Sequence, residues 1–320
     1  IEDLQTRLAR IGRQIAFALD STASRAEHSL THERPRFSFF QMLSPRGGGR
    51  REAPKFEQVA PGVAKHEQEI VLAPGVEPES DRYLPLRVAA AAAEFELPIS
   101  PVTLQNLRRC PIRDSVWDDE SRQLFVRLLA SGPALMRVWE ELDFVDIPGR
   151  WMPEWLGIRN RPSASAAHRY TIDRHSVEVT SRLARVSAAR GERYDDRHYT
   201  ALLLAGLLHD VGKRPFVTDH AAEGARHAAV IMKRMGFDAD IARWVRILVR
   251  EHLTLSELLD MLYDLTRADG SSLGATAGEE ISKRYGWSHW RESLVRAMYS
   301  AARESIRVQV EGGYADVDFG

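Results

Sequence analysis

The sequence predicts an all-α protein with one short β-hairpin, on three observations. From Leu84 onward, apolar residues recur at helical spacing in one segment after another. The segments are punctuated by helix start and stop signals, among them Ser100-Pro101, Gly132-Pro133 and Gly236. The hairpin signal is confined to residues 62–72, where Gly62-Val63-Ala64 and Glu69-Ile70-Val71-Leu72 flank a polar turn.

Taken in order, residues 1–20 read as a helix, with Leu4, Leu8, Ile11, Ile15 and Leu19 at helical spacing. Residues 44–51, Ser-Pro-Arg-Gly-Gly-Gly-Arg-Arg, cannot hold regular structure and read as a flexible basic loop. After the hairpin, Ala89 to Phe95 is a good helix former, and Ser100-Pro101 opens another helix with a capping residue and a proline in the first turn. Residues 119–145 carry two helices broken near Gly132-Pro133, and Pro148 to Pro162, rich in proline and tryptophan, reads as an irregular packed connector. More apolar helices follow over 171–189, 198–212, 221–235, 238–252, 256–269 and 287–307, with Gly236 ending the third and Asp238 or Asp240 starting the fourth. No internal repeat is visible.

The bulk composition bounds function chiefly by exclusion. Lys+Arg 44 against Asp+Glu 45 leaves a net charge of −1, which gives no reason to expect a nucleic-acid or membrane partner. The only cysteine is Cys110, so an intrachain disulfide framework and a multi-cysteine zinc site are both excluded, in keeping with a cytoplasmic location. No signal peptide or membrane-spanning run is expected. A start at Ile1 is read as a segment of a longer protein.

Specific chemistry is concentrated in six residues: His175, the pair His209-Asp210, His220, His252 and Asp269. His175 falls on the stripe Ile172, His175, Val179, Leu183, Val186, and so on a buried helix face. The continuously apolar run Ala201 to Leu208 leads into His209-Asp210, with Lys213 a turn later. His252 continues the face Ile241, Trp244, Val245, Leu248, Val249, and Asp269 continues Leu258, Leu262, Leu265. A lone histidine on an apolar stripe is usually a satisfied core residue, and a His-Asp dipeptide alone carries little. Several helices that each end an apolar face in His or Asp are different, because those side chains can converge. A buried aspartate is costly unless paired, protonated or metal-bound. Imidazole and carboxylate together suit divalent metals, and a carboxylate can bridge two of them. Asp210 is then the natural bridge, with His175, His209 and Asp269 around one ion and His220 and His252 around another. Lys213 can neutralise charge on a phosphate oxygen.

These residues resemble the HD superfamily of metal-dependent phosphohydrolases. The strings around them narrow the likeness: His168 to His175, Leu207-Leu208-His209-Asp210-Val211-Gly212-Lys213, Asp219-His220, Leu248 to Leu253, and upstream Pro153-Glu154-Trp155 and Gly132-Pro133-Ala134-Leu135. They are similar to the bifunctional uridylyltransferase/uridylyl-removing family that acts on the PII nitrogen-signalling protein. The resemblance implies a helical remainder, loop and hairpin over 1–80, a helical linker domain over 81–160, and an HD phosphohydrolase domain over 161–310. It implies removal of a nucleotidyl group, UMP or AMP, from a modified PII protein. The roles it implies are metal binding by His175, His209, Asp210, His220, His252 and Asp269, and catalysis by Asp210, Lys213 and His220. The divalent metal is expected to be manganese or magnesium, with iron or zinc as alternatives. The nucleotidyltransferase motifs of that family are absent from this sequence, and its glutamine-sensing ACT domains are expected only in the full-length protein. Two other readings stay open: an HD hydrolase of a free or signalling nucleotide, and a catalytically degenerate module that binds a regulatory partner. The degenerate reading draws on the interval from His252 to Asp269, which is shorter than the resemblance implies. Asp260 and Asp264 are weaker replacements for Asp269.

Overall fold

The structure is a computed structural model that describes residues 2–31, 55–111, 116–162, 170–190, 196–252, 259–272, 292–293 and 295–300. The order of elements is α1 (Glu2–Thr31), β1 (Glu57–Ala60), β2 (Val63–His66), β3 (Glu69–Leu72), α2 (Leu84–Glu94), α3 (Pro101–Leu107), α4 (Asp119–Leu129), α5 (Pro133–Phe144), α6 (Ile147–Trp151), α7 (Ile172–Arg190), α8 (Asp196–Leu208), α9 (His220–Met235), α10 (Ala239–Glu251) and α11 (Leu259–Ser272). The fold is all-α apart from the small sheet, as the helical periodicity implies. The basic loop expected at 44–51 lies outside the described residues, and only 292–293 and 295–300 of the helix expected at 287–307 lie within them.

The centre of the bundle is α8. Every residue from Ala201 to Leu208 is buried, so no face of this part of the helix meets water. Each buried leucine contributes about 2 kcal/mol by leaving water. α7 and α10 pack on α8, α9 packs on α10, and α11 packs on α7. α5 joins this bundle to the preceding helices by packing on both α7 and α2. One apolar core runs from Val63 in the sheet to Ala268 in α11. Local chemistry sets the helix ends. Ser100 accepts from the Thr103 N–H at the start of α3, Asp118 caps α4, and Asp238 accepts from the Asp240 and Ile241 N–H groups at the start of α10. Gly236 ends α9 at φ 66°, a left-handed conformation natural to glycine.

Two local expectations are corrected and one is extended. The hairpin expected over 62–72 is formed by β2 and β3, and β1 pairs with β2 to make a three-stranded antiparallel sheet in the order β1-β2-β3. The strand missing from the sequence reading, β1, is an exposed edge with a charged start and no clean alternation. The connector 148–162 is more regular than expected, because Pro148 and Pro153 each sit in the first turn of a short helix, α6 and the 3-10 turn Pro153–Gly157. α8 ends at Leu208 rather than running to 212, so His209 and Asp210 lie in a turn beyond its last residue.

α1 docks by a face other than its apolar stripe. Its apolar stripe points outward, with Leu4, Leu8, Ile11, Ile15 and Leu19 all exposed. The docked face carries Phe17, whose ring stacks on Phe144 at 4.2 Å between centroids, and Arg13. The Arg13 guanidinium lies 2.7 Å from Glu140, 2.7 Å from Asp173 and 3.5 Å from Asp143, and also donates to Asn160 Oδ1 at 2.7 Å. Removing one partner of such a partly buried network strands the others, at about 3 kcal/mol. Arg13→Met is therefore expected to lower the urea midpoint by an amount corresponding to about 2–3 kcal/mol, and a midpoint equal to that of the wild type would refute the role.

Glu141 on α5 is almost wholly buried, 7 % exposed, and accepts the Ile99 N–H at 3.1 Å. Burial pushes its carboxyl up from 4.5 to about 7, against the pull of the Ile99 N–H and of Arg137. The folded chain therefore holds a proton that the unfolded chain releases near pH 4.5. The stabilisation is fully present below pH 4.5 and is lost as pH rises through about 7, on the order of 3 kcal/mol. Asp143, pushed up to about 6 by burial, adds a decline of the same sign. Glu141→Gln keeps an acceptor for Ile99 and has no proton to lose. Urea midpoints measured at pH 5 and pH 8 are expected to differ less in Glu141→Gln than in the wild type; an equal difference would disprove the assignment.

Candidate metal centre

All six His and Asp residues singled out in the sequence lie together at one end of the bundle. α7 brings His175 in on its buried face, beside Ile172, Val179 and Leu183; the Val186 side chain lies outside the described residues. The turn after α8 supplies His209 and Asp210, and it is tight: Val211 N–H donates to Leu208 O at 3.0 Å and Lys213 N–H to Asp210 O at 3.0 Å. His220 is the first residue of α9, with Asp219 as the capping residue that accepts from Ala222 N–H. His252 follows the last turn of α10 on the side of Val245, Leu248 and Val249. Asp269 lies on α11 one turn beyond Leu265, which is buried. The four imidazoles form a chain, His175 to His209 to His252 to His220, with centroid separations of 5.3, 5.4 and 5.4 Å.

The cluster divides into two triads, His175 with His209 and Asp269, and Asp210 with His220 and His252; in each, ligand atoms lie within 4.8 Å of one another. The short interval after His252 does not displace Asp269, whose Oδ1 is 2.8 Å from His175 Nε2 and 3.9 Å from His209 Nε2. Asp264 is buried in the same helix but is in neither triad, and the Asp260 side chain lies outside the described residues. Asp210, a member of the second triad, also faces the first. Its Oδ2 is 3.5 Å from His209 Nε2 and 3.9 Å from His175 Nε2, and its Oδ1 is 3.8 Å from His252 Nε2. Lys213 Nζ is 2.7 Å from Asp210 Oδ2.

Two histidines have their ring orientation fixed from behind. His209 Nδ1 is 2.8 Å from the Gly206 carbonyl and His252 Nδ1 is 2.8 Å from the Val249 carbonyl. A carbonyl only accepts, so each Nδ1 carries the proton and each Nε2 turns a lone pair inward, the tautomer a metal needs. Burial lowers the pKa of His209, His252 and His220, and for His220 the Lys213 ammonium lowers it further. These rings are therefore neutral near pH 7. Burial opposes charge on Asp210, but its polar surroundings, with the Lys213 ammonium 2.7 Å from Oδ2 as the full positive charge among them, hold the carboxyl well below the usual carboxylate range. His209 Nε2, Asp210 Oδ1 and His220 Nε2 are buried and take no hydrogen bond. Buried acceptors without donors, on neutral imidazoles beside an ionised carboxylate, fit divalent cations.

Two features that bring these elements close were not read as functional. Gly212 packs so tightly on the first turn of α9 that a Cβ there would fall 2.1 Å from His220 O and 2.4 Å from Gly224 N. It was visible in the sequence only as part of a matching string. Glu154, likewise seen only as a string, pairs with Arg234 at 2.6 Å, and its carbonyl accepts from Arg214 at 2.5 Å. The connector is thereby fastened to the loop after Asp210.

Residues 172–285 match the HD domain family, and it is this stretch that brings together the two His/Asp triads, one of them containing Asp210. Over most of its length the chain is similar to bifunctional uridylyltransferase/uridylyl-removing enzymes. The Streptomyces coelicolor enzyme is 34% identical over 311 residues, covering 88% of this chain and 35% of that enzyme. The Mycobacterium tuberculosis enzyme is 33% identical over 319 residues, 92% of this chain and 36% of that enzyme. The chain thus spans about a third of the length of these relatives. Among the described residues no helix is long and apolar enough to cross a membrane.

Replacing Gly212 by alanine is expected to push the start of α9, and His220 with it, away from Asp210. Divalent metal bound per chain at fixed free metal should fall by about half while helicity is kept. Metal content and circular dichroism measured on one sample check this, and full metal content in Gly212→Ala would rule it out.

Proposed function

We propose that this chain hydrolyses a phosphodiester, removing UMP or AMP from a nucleotidylated PII-type signalling protein in the cytoplasm. The observation that carries the reading is two adjoining His/Asp triads with Asp210 of one facing the other, in a chain similar along most of its length to enzymes named for uridylyl removal. His175, His209 and Asp269 would hold one divalent ion and His220 and His252 a second, with Asp210 touching both; manganese or magnesium suits such a mixed set. Bound there, divalent ions supply an acidified water and positive charge against the phosphoryl oxygens.

The chain's own groups account for the rest. His209 and His252, pinned through Nδ1, keep their Nε2 atoms aimed without reorganisation during the reaction. Asp210, ionised despite burial, stays available as an acceptor at neutral pH. Lys213 stands part-exposed at the edge of the cluster, where its ammonium reaches both Asp210 and an incoming phosphoryl oxygen. His220, neutral and with a free Nε2, completes the far side. In the overall reaction the oxygen of water bonds to phosphorus, the bond from phosphorus to the protein oxygen breaks, and that oxygen takes up a proton. Nucleoside monophosphate leaves.

The reading is tested with uridylylated and adenylylated PII, with and without manganese. Nucleotide release is expected from the wild type, with loss after chelation, restoration by manganese, and a fall of about a hundredfold or more in Asp210→Ala. Metal-loaded wild type that releases neither nucleotide would overturn it.

A further inference from the structure

We infer that Phe216 is an anchor by which the rim of the site grips the protein carrying the nucleotidyl group; the inference rests on the substrate reading above. Phe216 lies in the loop between Asp210 and His220, which belong to the triad shared with His252. Val217 N–H donates to Arg214 O at 3.3 Å, closing a four-residue turn Arg214-Pro215-Phe216-Val217. Proline at the second position and φ 63° at Phe216 give the pattern of a type II turn, whose third position ordinarily holds glycine or asparagine. A bulky aromatic there is strained.

Folding gains nothing from this ring, since Phe216 is 104% exposed. The loop is also held too firmly for the strain to escape. Lys213 is tied to Asp210, and Arg214 donates to Glu154 O at 2.5 Å and to Val211 O at 3.4 Å. The Arg214 guanidinium lies so close over Gly157 that a Cβ there would sit 2.6 Å from it. At the other end Asp219 caps α9 and pairs with Arg250 at 3.1 Å. A strained, solvated, firmly placed aromatic is explained when its return comes on binding. Full solvation of the ring favours a protein over a nucleobase, because a base-stacking slot has a second wall, whereas a protein partner brings its own. Lys213, earlier on the same loop, stands beside Asp210 at 2.7 Å, so on the substrate reading one loop addresses both the phosphodiester and the protein that bears it.

The test compares wild type, Phe216→Gly and Phe216→Tyr, all loaded with manganese, on uridylylated PII, and measures binding of unmodified PII by calorimetry. Glycine suits the turn, so Phe216→Gly is expected to melt no lower than the wild type. Its KM for uridylylated PII and its Kd for unmodified PII should each rise about tenfold, with kcat kept, and Phe216→Tyr should restore both. KM and Kd within twofold of wild type in Phe216→Gly would overturn the inference while leaving the substrate reading in place. A wild type that cleaves bis(p-nitrophenyl) phosphate but neither binds nor demodifies PII would overturn the substrate reading, and this inference with it.

Discussion

An ionised carboxylate buried in a helical bundle is the constraint on which this structure turns. Asp210 is 1% exposed, and a carboxylate so far from water is tolerated only when positive or polarising groups surround it. Lys213 supplies positive charge from the same turn, and the imidazoles of His175 from α7, His209 from the adjoining residue and His252 from the end of α10 close around the carboxylate. They come from three separate stretches of sequence, so the bundle cannot close correctly around Asp210 without setting the whole cluster in place. The same requirement explains why α8 is apolar on all sides from Ala201 to Leu208. A helix that delivers a charge to the middle of a fold must be surrounded, and the helices around it carry the complementary groups.

Much of this was legible in the sequence, because helix periodicity reports which face is buried. His175 and His252 each extend an apolar stripe, so their inward direction follows from residues three and four positions away. Asp269 was readable in the same way, although its distance along the chain from His252 argued against it. Spacing through a loop does not determine spacing through space, whereas the register of α11 places Asp269 beside His175. What stayed hidden are contacts that leave no periodic trace. Gly212 looks like any glycine after a turn until the backbone of α9 is seen against it. Glu154 looks like a surface acid until its carboxylate and carbonyl are seen to hold Arg234 and Arg214. The exposed edge strand β1 was missed because burial gives it no alternation.

α1 inverts the usual relation between stripe and core. The sequence displays a regular apolar stripe, and the structure turns it to solvent and docks the helix through Arg13 and Phe17 instead. Periodicity identified the helix but not its buried side, since a buried arginine facing three carboxylates can outweigh several exposed leucines when the alternative leaves those carboxylates unpaired.

The Arg13 network also bears on where the unit that matches the HD family begins. Similarity to the HD family starts at residue 172, yet Asp173, in the first turn of the helix that carries His175, takes its counter-charge from α1. The same guanidinium holds Glu140 on α5. A chain trimmed to the matched residues would keep every His and Asp of the metal centre and lose the cation that neutralises the entry to α7. In this protein the electrostatic boundary of the domain lies some 160 positions upstream of its sequence boundary, the span from Arg13 to Asp173.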